Sequence, residues 1–97
     1  MPFSGNAFRF DSATLDTVYE VGGVYGLFQQ TMTGYLCLYV GLSDNLRRRL
    51  REHYNNPPVS GCTHFFGEAI SNAFERTMRE QALIREFNPP GNVHYTR

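Results

Sequence analysis

Two runs of branched and aromatic residues lie close together in the chain, GVYGLFQQ at 23–30 and YLCLYVGLS at 35–43. Each run has the length and composition of a β-strand, and the second is far too short to cross a membrane. The residues between them, TMTG, are polar and end in glycine, which is typical of a hairpin connection. The pattern predicts an antiparallel β-hairpin.

The spacing of this hairpin predicts which side chains share a face. If residues 30–34 form the connection, Gln29 pairs with Tyr35, and steps of two residues place Tyr25 opposite Tyr39. One face then displays two phenols side by side. The other face, the better candidate for the core, carries five apolar residues: Val24, Phe28, Leu36, Leu38 and Val40.

A basic helix is expected directly behind the hairpin. Ser43 or Asp44 can act as its N-cap, and Leu46 and Leu50 form a buried stripe at i, i+4. The helix should end before the Asn-Asn-Pro-Pro segment at 55–58, because a residue that precedes proline avoids helical geometry.

A third strand and a longer helix complete the pattern. THFFGEAI at 63–70 is the strand candidate. Asn72, followed three residues later by Glu75, predicts a capping box at the start of a helix over 73–87. The Asn-Pro-Pro-Gly segment at 88–91 ends it.

The order strand, strand, helix, strand, helix indicates an α+β domain, and 97 residues are enough for one modest core. We expect the domain to span residues 22–92, with an N-terminal extension at 1–21 and a tail at 93–97. Within the extension, Asp11 or Ser12 can cap a short helix.

Composition places few limits on function. Nine basic residues balance nine acidic ones, so net charge gives no support to tight nonspecific binding of nucleic acid. Every basic residue is arginine, whose planar fork matches phosphate oxygens in pairs. Cys37 and Cys62 form no metal-binding or disulfide pattern, and the chain start lacks the features of a signal peptide. A cytoplasmic protein with free thiols is expected.

Two tripeptides carry a resemblance to a known family. GVY at 23–25 and YVG at 39–41, followed by Asn45-Leu46 and then Arg49, resemble the GIY-YIG nuclease family, which is named after such tripeptides. The resemblance continues into the last helix.

Further matching residues extend the resemblance over about residues 22–92. Glu80, with the Leu-Ile pair that follows it, resembles the metal-binding Glu of the family, and Pro89 and Asn92 resemble residues that close the domain. His53 resembles a histidine of the homing-endonuclease branch.

The resemblance implies a small three-stranded antiparallel β-sheet flanked by helices, in agreement with the order of elements read from the residues. There are two departures. Leu42 stands where the family often has Lys, Ser or Thr, and residues 55–62 leave room only for a loop where many members have an additional helix.

The resemblance also implies a site for metal-dependent hydrolysis of phosphodiester bonds. Glu80 would hold one divalent cation, with Mg²⁺ expected because it keeps several waters in its shell. Arg49 would clamp a phosphate oxygen, and Tyr25 would act as general base once neighbouring cations lower its pKa. Tyr39 would orient the water or a phosphate. His53, one turn after Arg49 on the same helix face, would add positive charge or reach the leaving group.

Three further arginines, Arg47, Arg48 and Arg51, would hold neighbouring phosphates without reading bases. Simpler interpretations remain open for several residues. The two tyrosines can serve packing alone, Glu80 can pair with Arg76 on a solvated helix face, and the arginine run can be such a face.

The expected function is a one-metal endonuclease acting on DNA, double-stranded or branched. A homodimer would let two active sites address both strands, and a recognition partner would supply target choice. The leading alternative is a nucleic-acid-binding module that has the fold but no cleavage activity. A protein-interaction or inhibitor domain on the same scaffold is a third interpretation.

Overall fold

The structure of the chain is a computed structural model that describes residues 3–95, and the side chains of residues 3–92. Four antiparallel strands form one sheet in the order β1, β4, β2, β3. The three expected strands are present, and β1 is a two-residue addition that pairs with β4. The elements are β1 (Phe8–Arg9), α1 (Ser12–Leu15), β2 (Gly23–Gln30), β3 (Tyr35–Ser43), α2 (Leu46–Asn55), β4 (His64–Ala69), α3 (Ala73–Phe87) and a 3₁₀ segment (Pro90–Tyr95).

The β2–β3 hairpin has the predicted strand limits but a different register. Gln30 rather than Gln29 pairs with Tyr35, so the connection is one residue shorter than expected. A β-bulge then shifts the pairing by one residue, which places Tyr25 opposite Gly41. The prediction that Tyr25 and Tyr39 are direct partners is therefore wrong. Their side chains nevertheless share a face, with ring centroids 6.3 Å apart.

The bulge also changes which residues of β3 are buried. Because it adds one residue to the strand, side chains before it point to the opposite face from the one that strict alternation predicts. Cys37 is consequently buried, whereas Leu36, expected in the core, is 51% exposed. Val24, Phe28 and Val40 are buried as predicted.

Both faces of the sheet are covered, so the phenol face is as much a part of the core as the other. One cluster of buried residues packs with α3: Phe3, Val24, Phe28, Cys37, Val40, Leu83 and Ile84. The second packs with α2: Leu15, Tyr25, Leu27, Leu46, Leu50 and Phe65. Helices on opposite faces bring functional side chains to the sheet from two directions.

The N-terminal extension contributes to both clusters. Phe3 stacks on Phe66 and Phe87 in the first cluster, and Leu15 is fully buried in the second. Asp11 caps α1 as predicted, by accepting a hydrogen bond from the Thr14 N–H. The division into 1–21, 22–92 and 93–97 stays a prediction, and residues 1–2 and 96–97 lie outside the described residues.

The caps of the two long helices differ in how well they were predicted. α3 has the predicted limits and the predicted cap, Asn72. Asn45, rather than Ser43 or Asp44, caps α2. Ser43 remains in β3, and its hydroxyl oxygen accepts from the Asn45 N–H at 3.0 Å, which leaves Asn45 in position to cap. None of the helices within residues 3–95 combines the length and apolar character needed to cross a bilayer.

Candidate active site

Tyr25 lies at the centre of the site. Its side chain is only 1% exposed and packs on the α2 face of the sheet. Its two cross-strand neighbours are both glycines, Gly41 on β3 and Gly67 on β4. Glycine at 41 is required because a Cβ there would lie 2.5 Å from Cζ of Tyr25. The phenol ring occupies the space that a side chain at position 41 would fill.

His53 is the direct partner of the Tyr25 hydroxyl. Its Nε2 lies 2.7 Å from that oxygen, within hydrogen-bond distance. Leu46, Leu50 and His53 follow one another at i, i+4 and i+7, so the stripe that attaches α2 to the sheet also carries the imidazole inward. His53 is only 5% exposed. Burial, with a smaller contribution from the Arg49 charge, lowers the pKa of His53 to about 4.

The electrostatic environment of Tyr25 differs from the expectation. Burial raises the pKa of Tyr25 well above its usual value, and neighbouring Tyr39 raises it further. Hydrogen bonding and charge from Arg49 oppose this shift. His53 is neutral at neutral pH, so it does not supply the positive charge that was expected to favour the phenolate. In the free protein the phenol is therefore protonated.

Tyr39 completes an aromatic triangle. Its ring lies 6.3 Å from the ring of Tyr25 and 5.6 Å from that of His53, measured between centroids. Its side chain is half-buried, so the triangle forms one wall of the site and is reached from the solvent on the Tyr39 side.

Arg49 connects the buried phenol to the surface. The guanidinium approaches Tyr25 closely enough for their hydrogen bond to shift the pKa of both groups. On its solvent side, Nη1 donates to Glu52 Oε1 at 2.8 Å. Sequence reasoning missed Glu52, although its position three residues after Arg49 is a spacing at which helical side chains meet.

Glu80 approaches the site from α3. Its side chain is partly buried, and burial raises the pKa of its carboxyl group. Its negative charge is the smallest of the influences on the pKa of Tyr25, and it raises that pKa. Arg76, the alternative partner, instead donates to the backbone carbonyls of Ile70 and Ser71.

The donors available to a metal ion are few. Within residues 3–92, no three His, Cys, Asp or Glu side chains are grouped as metal ligands. Glu80 is thus a single, partly buried carboxylate. Within residues 3–92 it has no ion-pair partner. A hard cation that binds through one protein oxygen and keeps its waters fits this donor set.

The other three arginines of α2 form ion pairs within the chain. Arg51 pairs with Asp16, and Arg48 with Asp44 at 2.6 Å. Arg47 donates through Nε to the Val18 carbonyl at 2.7 Å and lies near Glu20. The contacts of Arg47 and Arg51 attach the N-terminal segment to α2. The arginines are half-exposed on the surface of α2 beside the site.

Asn92 holds the edge of β3. Its Oδ1 accepts from the Val40 N–H at 2.7 Å, and its Nδ2 donates to the Val40 carbonyl at 2.8 Å. The expected structural role of Asn92, to tie the end of the domain back by hydrogen bonds, is confirmed. The contact fixes the strand that carries Tyr39 and Gly41.

Comparison with known proteins agrees with this geometry, although no family model matches the chain. The UvrABC system protein C of Pseudomonas fluorescens (strain Pf0-1) is 33% identical over 93 residues, which cover 87% of this chain and 15% of that protein. The protein of the same name from Pseudomonas savastanoi pv. phaseolicola is 32% identical over 84% of this chain and 14% of that protein. The chain thus spans about one seventh of the length of these curated relatives.

Solved structures show the same architecture. The GIY-YIG N-terminal endonuclease domain of UvrC from Thermotoga maritima, bound to magnesium as its catalytic divalent cation, has a TM-score of 0.68 at 23% identity, over 82% of this chain and 92% of that one. A point mutant of that domain, also bound to its catalytic divalent cation, has a TM-score of 0.67 at 22% identity, over 81% of this chain and 90% of that one.

Proposed function

Because the chain belongs to the GIY-YIG endonuclease family, we propose that it is a metal-dependent endonuclease that hydrolyses phosphodiester bonds in DNA. The observation that carries the proposal is the environment of the buried Tyr25 hydroxyl, to which residues of two helices contribute. His53 bonds to this hydroxyl, Arg49 lies beside it, and the charge of Glu80 acts on it. Packing alone does not require a buried phenol to have such polar and charged neighbours.

The proposed proton path uses Tyr25 and His53 together. When neutral His53 carries its one ring proton on Nδ1, the Tyr25 hydroxyl donates to Nε2 across 2.7 Å. The attacking water gives a proton to the Tyr25 oxygen while the phenol proton passes to Nε2, and the water oxygen forms its bond to phosphorus. The bond from phosphorus to the leaving oxygen breaks, and that oxygen takes up a proton from solvent. This path removes the need for a free phenolate, which burial disfavours.

Arg49 is the proposed phosphate clamp. A guanidinium beside the general base neutralises the charge that builds up on the phosphate oxygens as the bond to the leaving oxygen breaks. Tyr39, on the accessible side of the aromatic triangle, orients the water or a phosphate oxygen. Arg47, Arg48 and Arg51 hold phosphates on either side, and each exchanges a carboxylate of the chain for a phosphate when DNA binds.

Glu80 is the proposed ligand of one divalent cation, most simply Mg²⁺. The ion, when bound, supplies charge stabilisation to the phosphate and the leaving oxygen. The donor set fits a single ion, because Glu80 offers one partly buried carboxylate and residues 3–92 contain no group of three His, Cys, Asp or Glu side chains placed to hold a metal. The similar Thermotoga domains are bound to their catalytic divalent cation, in one of them magnesium.

The proposed substrate is DNA in a double-stranded or branched form. Target choice is assigned to a recognition partner, and pairing of two copies would let two active sites address both strands. With a formal charge of zero, the chain has little general attraction to DNA. A cytoplasmic location is proposed because Cys37 and Cys62 are free thiols.

One experiment tests the function directly. A labelled nicked or branched duplex is incubated with the chain and Mg²⁺, beside the Glu80→Gln and Tyr25→Phe variants. We expect cleavage by the wild type alone and loss of cleavage when EDTA is present. If all three proteins retain DNA and leave it intact, the chain is a binding module. If none of them retains or cuts DNA, the nuclease proposal is wrong.

A further inference from the structure

Glu52 lies beside the site without a role in the chemistry outlined above. It lies on α2 between Arg49 and His53, the two residues that reach the Tyr25 hydroxyl. Its Oε1 accepts from Arg49 Nη1 at 2.8 Å, and its Oε2 lies 3.8 Å from Nε of Arg48. All three of Arg49, Glu52 and His53 line one open cleft of about 580 Å³, continued by Asn55, Asn56, Pro57 and Pro58.

The position of Glu52 matters because of what its partner does. Arg49 contacts Tyr25 on one side and Glu52 on the other. A carboxylate and a phosphate present similar oxygen geometry to a guanidinium, so they compete for the same donors. Phosphate that enters the cleft therefore meets an arginine that already carries an anionic partner.

We propose that Glu52 is a positioning residue that occupies, in the free protein, the place on Arg49 that the substrate phosphate takes. This inference rests on the proposed function. Glu52 holds the guanidinium in the cleft near Tyr25. The Glu52 carboxylate must be displaced before the phosphate binds. When product phosphate leaves, Glu52 takes its place again. The Arg49–Glu52 pair thus lowers the affinity of the cleft for a phosphate that makes no other contact in the site.

The charge balance gives this proposal a measurable signature. If binding at Arg49 exchanges one anion for another, few counterions are released there. Replacing Glu52 by glutamine lets Arg49 act as a full phosphate contact, which changes the slope of log K against log salt by up to about 0.9. Affinity should rise by about twofold to fivefold, the range expected for an exposed ion pair.

The experiment compares Glu52→Gln with Glu75→Gln. Glu75 is also a helical glutamate, exposed in the first turn of α3, and its replacement changes net charge equally. DNA binding is measured at several salt concentrations with the Glu80→Gln replacement added to each protein, so that the DNA is not cut. Steady-state cleavage is measured on the proteins that keep Glu80. We expect Glu52→Gln alone to lower KM without raising kcat, and to steepen the salt dependence. In an Arg49→Ala background its effect should disappear.

Three results would overturn the inference. The first is a Glu52→Gln protein that matches Glu75→Gln in KM and in salt slope while the wild type cuts DNA; in that case only the inference fails. The second is a gain in affinity that persists without Arg49, since Glu52 would then act through general charge. The third is a wild type that neither binds nor cuts DNA, which removes the proposed function together with this inference.

Discussion

Tyr25 and Gly41 are direct cross-strand partners, and the phenol ring of Tyr25 lies over the backbone of Gly41. They are the last residues of the GVY and YVG tripeptides, so the register of one hairpin brings the two motifs into contact. The glycine is present because the phenol needs the space above it. On the other side of Tyr25, a Cβ at Gly67 would approach no atom of another residue closer than 3.9 Å.

Replacing Gly41 with alanine should displace the phenol. A methyl group 2.5 Å from Cζ of Tyr25 forces the ring out of the position where it meets His53. We expect loss of cleavage and a decrease in the free energy of unfolding of about 1–3 kcal/mol, the usual cost of overpacking. A nicking assay and urea unfolding measure the two effects. Gly67→Ala is the matched control and should remain active; equal loss in both variants would contradict the explanation.

Tyr25→Phe and His53→Gln should each reduce kcat while DNA retention stays near that of the wild type. Both remove one half of the proton path across the 2.7 Å contact, and removal of a general base typically costs about 10²–10⁴ in rate. Because the two residues act as one unit, the double variant should be little worse than either single variant. Multiplicative losses would show that they act separately.

The low pKa of His53 predicts how stability depends on pH. Its pKa is about 4 in the folded protein and about 6.5 in the unfolded chain. The unfolded chain therefore binds the proton more readily, and stability falls as pH drops from 6.5 to 4. The loss assigned to this residue is at most about 3 kcal/mol. Urea unfolding across this range measures it. His53→Gln should flatten the dependence; an unchanged slope in His53→Gln would refute the assignment.

Glu80→Gln should abolish cleavage and slightly stabilise the metal-free fold. Burial disfavours the carboxylate and raises the pKa of Glu80, so a neutral amide removes this cost. Mg²⁺ should raise the Tm of the wild type, since it binds the folded state, and should leave the Tm of Glu80→Gln unchanged. Glu75→Gln serves as the control. A Mg²⁺-dependent increase that survives in Glu80→Gln would place the ion elsewhere.

Asn92→Ala should destabilise the domain more than a surface asparagine replacement. Asn92 is fully buried, and its loss leaves the N–H and carbonyl of Val40 without their partners. Two unsatisfied buried groups cost on the order of 2–5 kcal/mol. Urea unfolding compared with Asn55→Ala, an exposed position at the end of α2, measures the difference. A change within 0.5 kcal/mol, about that of a surface site, would show that water replaces the amide.

Local signals in the sequence were sufficient for the three main strands and the two long helices, whereas the candidate site residues were assigned from a resemblance and stay predictions. Alternation and turn residues predicted β2 and β3 to the residue, and the capping box at Asn72 predicted the limits of α3. The i, i+4 spacing of Leu46 and Leu50 also indicated which side of α2 faces the sheet. These signals depend on neighbours within a few positions, which the sequence shows directly.

Strand pairing and the environment of each charge were decided by the tertiary structure. The bulge near Leu38 exposes Leu36 and places Gly41, not Tyr39, opposite Tyr25. The hydrophobic clusters on both faces of the sheet and the bond from Asn92 to Val40 favour that register over strict alternation. Burial likewise makes His53 a neutral partner of the phenol, and Arg49 lies between Tyr25 and Glu52. The sequence alone determined which residues are available for chemistry. Their protonation and partners depend on desolvation and on contacts between residues distant in the chain, and only folding creates these.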